Sequence, residues 1–344
     1  METLTQAPEV RAEKLAVSHD QATGMQAVIA IDDTTLGSGL GGVRWMPYPD
    51  VDAAVAEACR LARGMTLKNA LAELPYGGAK AVILSQDEGV DRTAVLRAFG
   101  RMVVDLHGAY IPGVDMGTTI EDLATIGQVG PEVACNYEDP SPWTALGVYA
   151  GIVAAVHHLD HNDLSGHRVV VQGAGHVGSS LALRLADAGA EVVVSDIDPE
   201  RSERVAASVG GRTVEPEEAL GIACDVLAPC AQARVITPTN LPNLGCRIVA
   251  GAANDTLSER SCATELADRG ITYVPDFLLN AGGVVHIHAL RSGWDHHRLG
   301  EEVMGIGHRT GLILTRAEAT GRTPLEVAEA MASDRLGHPV SVPV

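Results

Sequence analysis

The stretch HRVVVQGAGHVGSSLALRLADAGAEVVVSD, residues 167–196, restricts the fold of this chain more than any other part of it. HRVVVQ carries an apolar run without alternation, the pattern of a strand buried on both faces. GAGHVG follows at once, SSLALRLADAGA continues as an amphipathic helix, and EVVVS is a second buried run. Two such strands joined by a helix make a parallel βαβ unit. Its glycines divide the work of holding a dinucleotide: Gly173 makes the tight turn, Gly175 lets the backbone approach a pyrophosphate, and Gly178 permits close packing of helix on strand. Ala174, His176 and Val177 complete the turn and open the helix, whose first amides and partial positive charge favour an anion. Asp196 closes the second strand, about 20 residues past the glycines, where a carboxylate meets the ribose hydroxyls, and Ile197 follows it. The charge of Asp196 would repel a 2′-phosphate, which favours NAD over NADP, with Arg201 nearby as the one residue pointing the other way.

The remaining sequence is expected to supply a second domain, because 344 residues exceed the size at which a single core usually stops growing. Apolar runs after the βαβ unit (CDVLAPC, CRIVAGAAN, GITYVPDF) alternate with helical or loop segments, as an open parallel sheet requires. A net charge of −19 without a basic stripe argues against nucleic acid as a partner. No apolar run of membrane-spanning length occurs and METLTQAPEVRAEK lacks the apolar core of an export signal, so a cytoplasmic protein with no membrane partner is expected. Six scattered cysteines, Cys135 among them, show no CxxC pair and read as reduced thiols. The histidines of HHLDHND (157–163) and DHH (295–297) read as parts of exposed polar connections, and no metal is expected.

In the first half, QAVIAID (26–32) reads as a strand, GSGLGGVRW (37–45) as a glycine-rich turn, and the segment from about Asp50 as a helix with Ala54, Val55, Ala58, Leu61 and Ala62 at helical spacing. Two of the only three lysines in the chain lie just beyond, Lys68 near the end of that helix and Lys80 at the start of the short apolar run AVIL. The other cations are arginine, which cannot lose its proton near neutral pH, whereas a desolvated lysine can act as a base. Asp115 sits in another glycine-flanked turn, GVDMGTT, and Pro140 and Pro142 after the polar NYED mark the crossing between halves.

The motifs GLGGVRW, RGMTLKNALAELPYGGAKAVI, GVDMGTT, PSPWTALGVYAGI, VQGAGHVG, VSDID, LAPCA, VAGAAND and PDFLLNAGGV, in that order over residues 15–320, resemble the Glu/Leu/Phe/Val amino-acid dehydrogenases, most closely the leucine, phenylalanine and valine branch. The resemblance implies an α/β protein of two domains, an N-terminal α/β substrate-binding and catalytic domain over 1–138 and a Rossmann-type, doubly wound dinucleotide-binding domain over 139–319. The active site would lie in the cleft, with a C-terminal return to the first domain over 320–344. It also implies NAD-dependent, reversible oxidative deamination of an L-amino acid to a 2-oxo acid and ammonia. Lys68 then matches the lysine that holds the substrate carboxylate, helped by Asn254. Lys80 matches the lysine that activates water, its proton loosened by burial and by Lys68, and Asp115 the carboxylate that exchanges protons with the amine. Thr144, Cys230, Ala231, Asn254 and Asn280 match positions of the cofactor site, and homo-oligomers formed through the first domain are implied.

Leu40, Gly41, Gly113, Val284 and Ile287 match the substrate pocket, whose apolar lining implies a bulky apolar side chain of the Leu, Val, Ile, Phe or Trp class. This chain departs from leucine enzymes at Val114, in place of a glutamate, and at His286, Ile287, His288, Ala289 and Leu290. For His286 and His288 a substrate role and a purely structural one are both open. Two other readings stand beside the first: a glutamate dehydrogenase, disfavoured because the cleft motifs of this chain offer no third lysine for a side-chain carboxylate, although an arginine could substitute, and a catalytically silent NAD-binding regulator, for which loss of Lys80 or Asp115 would be expected, whereas both are present.

Overall fold

A computed structural model describes residues 12–84, 89–134 and 138–337. The amino-terminal segment, Cys135, Asn136 and Tyr137 of the expected crossing, and residues 338–344 of the expected return lie outside the described residues. The chain forms two compact units, one reaching to Glu138 and taking in the chain from Ala332, the other Asp139–Met331.

The first unit is a mixed sheet covered on both faces. Its elements are β1 (Lys14–Asp20), β2 (Met25–Asp33), β3 (Gly39–Met46), α1 (Val51–Leu71), β4 (Gly77–Leu84), α2 (Arg92–Val104), β5 (Tyr110–Val114) and α3 (Ile120–Gly127). The strand order is β1-β2-β4-β3-β5, with β2 antiparallel to β1 and β4, and β3 parallel to β4 and β5. Because successive side chains point to opposite faces, Ile29, Ile31, Ala79, Ala81 and Ile83 pack with Leu96, Phe99 and Leu123 on the face of α2 and α3. Val28, Ala30, Val82 and Leu84 pack with Ala54, Ala58 and Ala62 of α1 on the other. The alanines of α1 let the helix lie close to the sheet, and Asp50 caps it by accepting the Ala53 amide at 2.8 Å.

Two expectations are corrected here. GSGLGGVRW is not a turn: from Gly39 onward it is β3, an inner strand between β4 and β5. Its glycines serve close approach, since a Cβ on Gly41 would stand 1.7 Å from the Ala79 carbonyl oxygen and one on Gly39 2.7 Å from the Ala79 Cβ. Nor does Lys80 begin its strand. β4 starts at Gly77, because Gly77 and Gly78 lie flat against Asp33 and Thr66, and Lys80 falls in its interior opposite Ala30.

The second unit holds an all-parallel sheet. It comprises α4 (Ser141–Asp160), β6 (Arg168–Gln172), α5 (His176–Asp187), β7 (Glu191–Ser195), α6 (Pro199–Ser208), β8 (Arg212–Thr213), β9 (Cys224–Pro229), β10 (Cys246–Val249), α7 (Ser261–Asp268), β11 (Thr272–Tyr273), α8 (Asp276–Leu279), α9 (Gly282–Arg291), α10 (His296–Thr320) and the start of α11 (Pro324–Leu336). The order β11-β10-β9-β6-β7-β8 is the doubly wound arrangement, with the strand order reversing at β6. Val170, Val193, Leu227 and Val249 supply its core. α4 packs on α10 through small residues: a Cβ on Gly147 would meet Ile306 at 2.7 Å, and one on Gly307 the Ala150 carbonyl at 2.8 Å.

The histidines of 157–163 are not all in a connection, for His157 and His158 form the last turn of α4 and His161 ends it in the left-handed conformation. In DHH, Asp295 caps α10 and both histidines lie in its first turn. The return to the first unit, expected over 320–344, starts at Ala332, within α11; the Arg335 guanidinium there donates to the Leu74 carbonyl at 3.4 Å. The described cysteines, Cys59, Cys224, Cys230, Cys246 and Cys262, are free thiols. Among the described residues no helix is long and apolar enough to cross a membrane, and no group of three or more His, Cys, Asp or Glu could hold a metal.

Candidate active site

In the first unit the candidate chemistry gathers on the face of the sheet that α1 covers. Lys80, Val82 and Leu84 share that face of β4, and Gly42 and Arg44 share it on the neighbouring β3. Gly42 makes the room: a Cβ there would stand 2.6 Å from the Asp115 Cβ and 3.3 Å from the Lys80 Nζ. In that space Lys80 Nζ lies 2.8 Å from Asp115 Oδ2, with the lysine only 6% exposed. Asp115 follows β5 in a turn closed by Thr118, whose hydroxyl accepts the Asp115 amide at 3.0 Å and donates to the Val43 carbonyl at 2.7 Å. Lys68 is half-buried in the last turn of α1. Leu40, Gly41 and Gly113 are buried on β3 and β5, where Leu40 stands level with Ile111, Gly41 with Pro112 and Gly42 with Gly113.

The electrostatics of this cluster suit a base. Burial pushes the Lys80 ammonium below the usual lysine range; Asp115 pulls it back only in part, and Arg44 adds to the downward push. Burial alone would raise the Asp115 carboxyl, but Lys80 and Arg44 outweigh it and hold the group ionised, below the ordinary carboxylate range. A cation that the motifs do not single out, Arg44, also neighbours the pair; its Nε donates to Asp115 Oδ2 at 2.9 Å. The sequence signal was present in GLGGVRW, since an arginine two positions beyond Gly42 on a strand must share its face.

In the second unit most of the expected cofactor residues follow the carboxyl ends of β6, β7, β9 and β10, with Thr144 on α4 and Asn280 after α8. Gly173 has a φ of +105° and lies so close to Ala231 that a Cβ would meet the Ala231 Cβ at 2.7 Å. Gly178 packs α5 onto the turn, leaving 1.8 Å between a would-be Cβ and the Gly173 carbonyl oxygen. Cys230 continues β9, its amide donating to the Gln172 carbonyl at 2.7 Å, and burial pushes its thiol up to about 12, which keeps it protonated near neutral pH. Asp196 is tied to the glycine turn, accepting the Ala174 amide at 2.7 Å and the Asp198 amide at 2.9 Å, with the Arg201 guanidinium 3.8 Å away. Ile197 beside it is 84% exposed. His176 and Val177 open α5, where the His176 ring stands 3.4 Å from the Asp139 carboxylate.

These residues fit a dinucleotide on two observations. At Gly175, the residue that caps α5, nothing beyond the adjoining backbone lies within 4 Å of where a Cβ would be, so backbone and space are both available to a phosphate. Asn280 donates to the Ala252 carbonyl at 3.1 Å and to Asn254 Oδ1 at 2.9 Å, while its own buried Oδ1 has no partner among the described residues. A buried acceptor left in that state is costly, and the carboxamide of a nicotinamide offers the missing donor. Thr144 in the first turn of α4 stands against the start of α9, its Oγ1 2.9 Å from a would-be Cβ on Gly283. Val284 and Ile287, half-buried, lie on one side of α9 three residues apart.

The two histidines of α9 both stand against aromatic rings. His286 is fully buried with its ring centroid 5.9 Å from that of Trp143, and His288 lies edge-on to Trp294 at 5.0 Å.

Comparison with known proteins identifies the family. The model of the Glu/Leu/Phe/Val dehydrogenase dimerisation domain matches residues 10–129, and that of the Glutamate/Leucine/Phenylalanine/Valine dehydrogenase domain matches 138–200 and 195–289. The leucine dehydrogenase of Thermoactinomyces intermedius is 37% identical, over 94% of this chain and 90% of its own length. The valine dehydrogenase of Streptomyces virginiae is also 37% identical, over 94% and 93%. The crystal structure of L-tryptophan dehydrogenase from Nostoc punctiforme superposes with a TM-score of 0.83 at 36% identity, covering 96% of each chain. The chain therefore belongs to the Glu/Leu/Phe/Val dehydrogenase family, and it is an amino-acid dehydrogenase.

Proposed function

We propose that this protein catalyses the NAD-dependent, reversible oxidative deamination of bulky apolar L-amino acids, in which amino acid, water and NAD⁺ give 2-oxo acid, ammonium, NADH and a proton. The observation that carries the reading is the buried Lys80 amine against an ionised Asp115, 2.8 Å apart. Lys68 holds the substrate carboxylate as a point charge, with Asn254 assisting. Lys80, its ammonium destabilised by burial, takes a proton from the attacking water as general base. Asp115 exchanges protons with the departing amine. NAD supplies the acceptor for the hydride. Gly173, Ala174, Gly175, His176, Val177 and Gly178 cradle its phosphates, Asp196 and Ile197 its adenosine end, and Thr144, Cys230, Ala231, Asn254 and Asn280 its nicotinamide end. Leu40, Gly41, Gly113, Val284 and Ile287 set the limits on the side chain, and their lack of charge favours apolar substrates, as do relatives named leucine, valine and tryptophan dehydrogenase. The first unit, matched by a dimerisation-domain model, joins copies into a cytoplasmic homo-oligomer.

NADH absorbance during incubation with a panel of L-amino acids, and with 2-oxo acids plus ammonium, tests this. Oxidation of several among Leu, Ile, Val, Met, Phe and Trp is expected. Activity confined to glutamate would replace the substrate assignment. NAD binding without any turnover would leave a silent regulator.

A further inference from the structure

The Lys80–Asp115 pair is one end of a longer chain of charges on the α1 face of the first unit. Asp115 Oδ2 receives both the Lys80 amine and the Arg44 Nε, at 2.8 and 2.9 Å. Arg44 Nη1 donates to Glu57 Oε1 at 2.8 Å, and the other Glu57 oxygen takes Arg60 Nε at 2.9 Å and Nη2 at 2.8 Å. Arg44 is largely enclosed, with its side chain 14% exposed, so these bonds are poorly screened. Glu57 and Arg60 come from α1, Arg44 from β3, Lys80 from β4 and Asp115 from the turn after β5.

We propose that Arg44 is the positioning residue of this active site: its guanidinium fork clamps Asp115 against Lys80, and Glu57 with Arg60 fixes the fork. The inference rests on the reading of Lys80 as the general base. An arginine is required because one planar group must reach two carboxylates in different directions, which a lysine ammonium on a flexible stem does not do with fixed geometry.

The same chain sets the charge balance of the base. With Lys80 protonated, cations outnumber anions by one; with Lys80 neutral, Asp115 and Glu57 balance Arg44 and Arg60. A largely buried cluster favours the balanced state. Titratable groups beside the chain include the phenols of Tyr48 and Tyr110, both held above their ordinary range by burial and therefore neutral, and Lys68 further along α1; β2 contributes the apolar Ala30 opposite Lys80 and, beyond it, Asp32, whose carboxylate accepts the Thr66 hydroxyl of α1 at 2.6 Å. Removing the Arg44 charge should hold the proton on Lys80 more tightly, whereas removing the Glu57 charge should release it.

Two variants therefore move the acid limb of the kcat/KM profile in opposite directions, which loss of packing alone does not do. Arg44→Gln is expected to lower kcat by about 10- to 100-fold and shift the limb up by about one pH unit. Glu57→Gln keeps the hydrogen-bond acceptor and should shift the limb down by a few tenths of a unit. Arg44→Lys keeps the charge and should leave the limb near the wild-type position while kcat stays low. Thermal unfolding with and without NAD identifies any variant that fails to fold, and Glu57→Gln then carries the test. Limbs that stay in place, or move the same way in Arg44→Gln and Glu57→Gln, would overturn the proposal. Lys80→Ala separates the two levels: full turnover there removes the base itself, whereas a dead Lys80→Ala with unshifted Arg44 and Glu57 limbs removes only the positioning role.

Discussion

Gly113→Ala should shift substrate preference from aromatic toward smaller aliphatic side chains. Gly113 lies on β5 level with Gly42, and a Cβ built there stands 3.9 Å from both the Ala134 Cβ and the Gly41 carbonyl oxygen, which is ordinary contact. The backbone has no reason to move, so the added methyl should act by the volume it takes from the substrate. A methylene-scale change in an apolar pocket is worth about 1 to 3 kcal/mol. The absence of any clash places this site at the lower end, where about 1.4 kcal/mol is tenfold. The ratio of kcat/KM for leucine to that for phenylalanine, from initial rates of NADH formation, should therefore rise by about 5- to 10-fold, with little change in Tm. Gly42→Ala is the contrasting case, because its Cβ would meet the Asp115 Cβ at 2.6 Å; it should cost turnover on every substrate alike. A wild type blind to aromatic substrates, or a ratio unmoved in Gly113→Ala, would refute the pocket assignment without touching the lysine chemistry.

Lys68→Ala should raise KM for the amino acid steeply, since the substrate carboxylate loses its counter-charge, while KM for NAD holds; equal losses for both ligands would indicate misfolding instead. Asp196→Ala should relax the preference for NAD over NADP in paired initial-rate measurements, because it removes a repelling carboxylate and frees Arg201, now 3.8 Å from it, to meet a 2′-phosphate. An unchanged ratio would place the ribose elsewhere.

Much of this was legible in the sequence because local rules and tertiary structure agree. The βαβ unit from Arg168 to Ser195 reads directly, since buried parallel strands, a glycine turn and an amphipathic helix each leave their own pattern. The helix begun by Asp50 reads equally well from its cap and its alanines. What misled was glycine in GSGLGGVRW, where the residue that marks turns instead marks an inner strand crowded by Ala79. The histidines after Val156 misled for a similar reason: polarity suggested a connection, while the helix simply ends late, at a left-handed His161. Arg44 and Glu57 could not be linked to Asp115 from spacing alone, because their meeting depends on β3, α1 and the end of β5 coming to one face of a sheet. The start of the return at Ala332 falls inside one continuous helix, and composition carries no sign of a boundary there.

A buried lysine poised to lose its proton beside Asp115 should be indispensable to turnover but not to cofactor binding. Lys80→Ala tests it most directly, with NAD affinity from fluorescence titration and turnover from NADH absorbance measured on the same preparation across the alkaline range. NAD affinity near that of the wild type is expected, with turnover lower by about 10²-fold or more and the acid limb of the wild-type profile lost. Turnover close to the wild type, with that limb still in place, would contradict it.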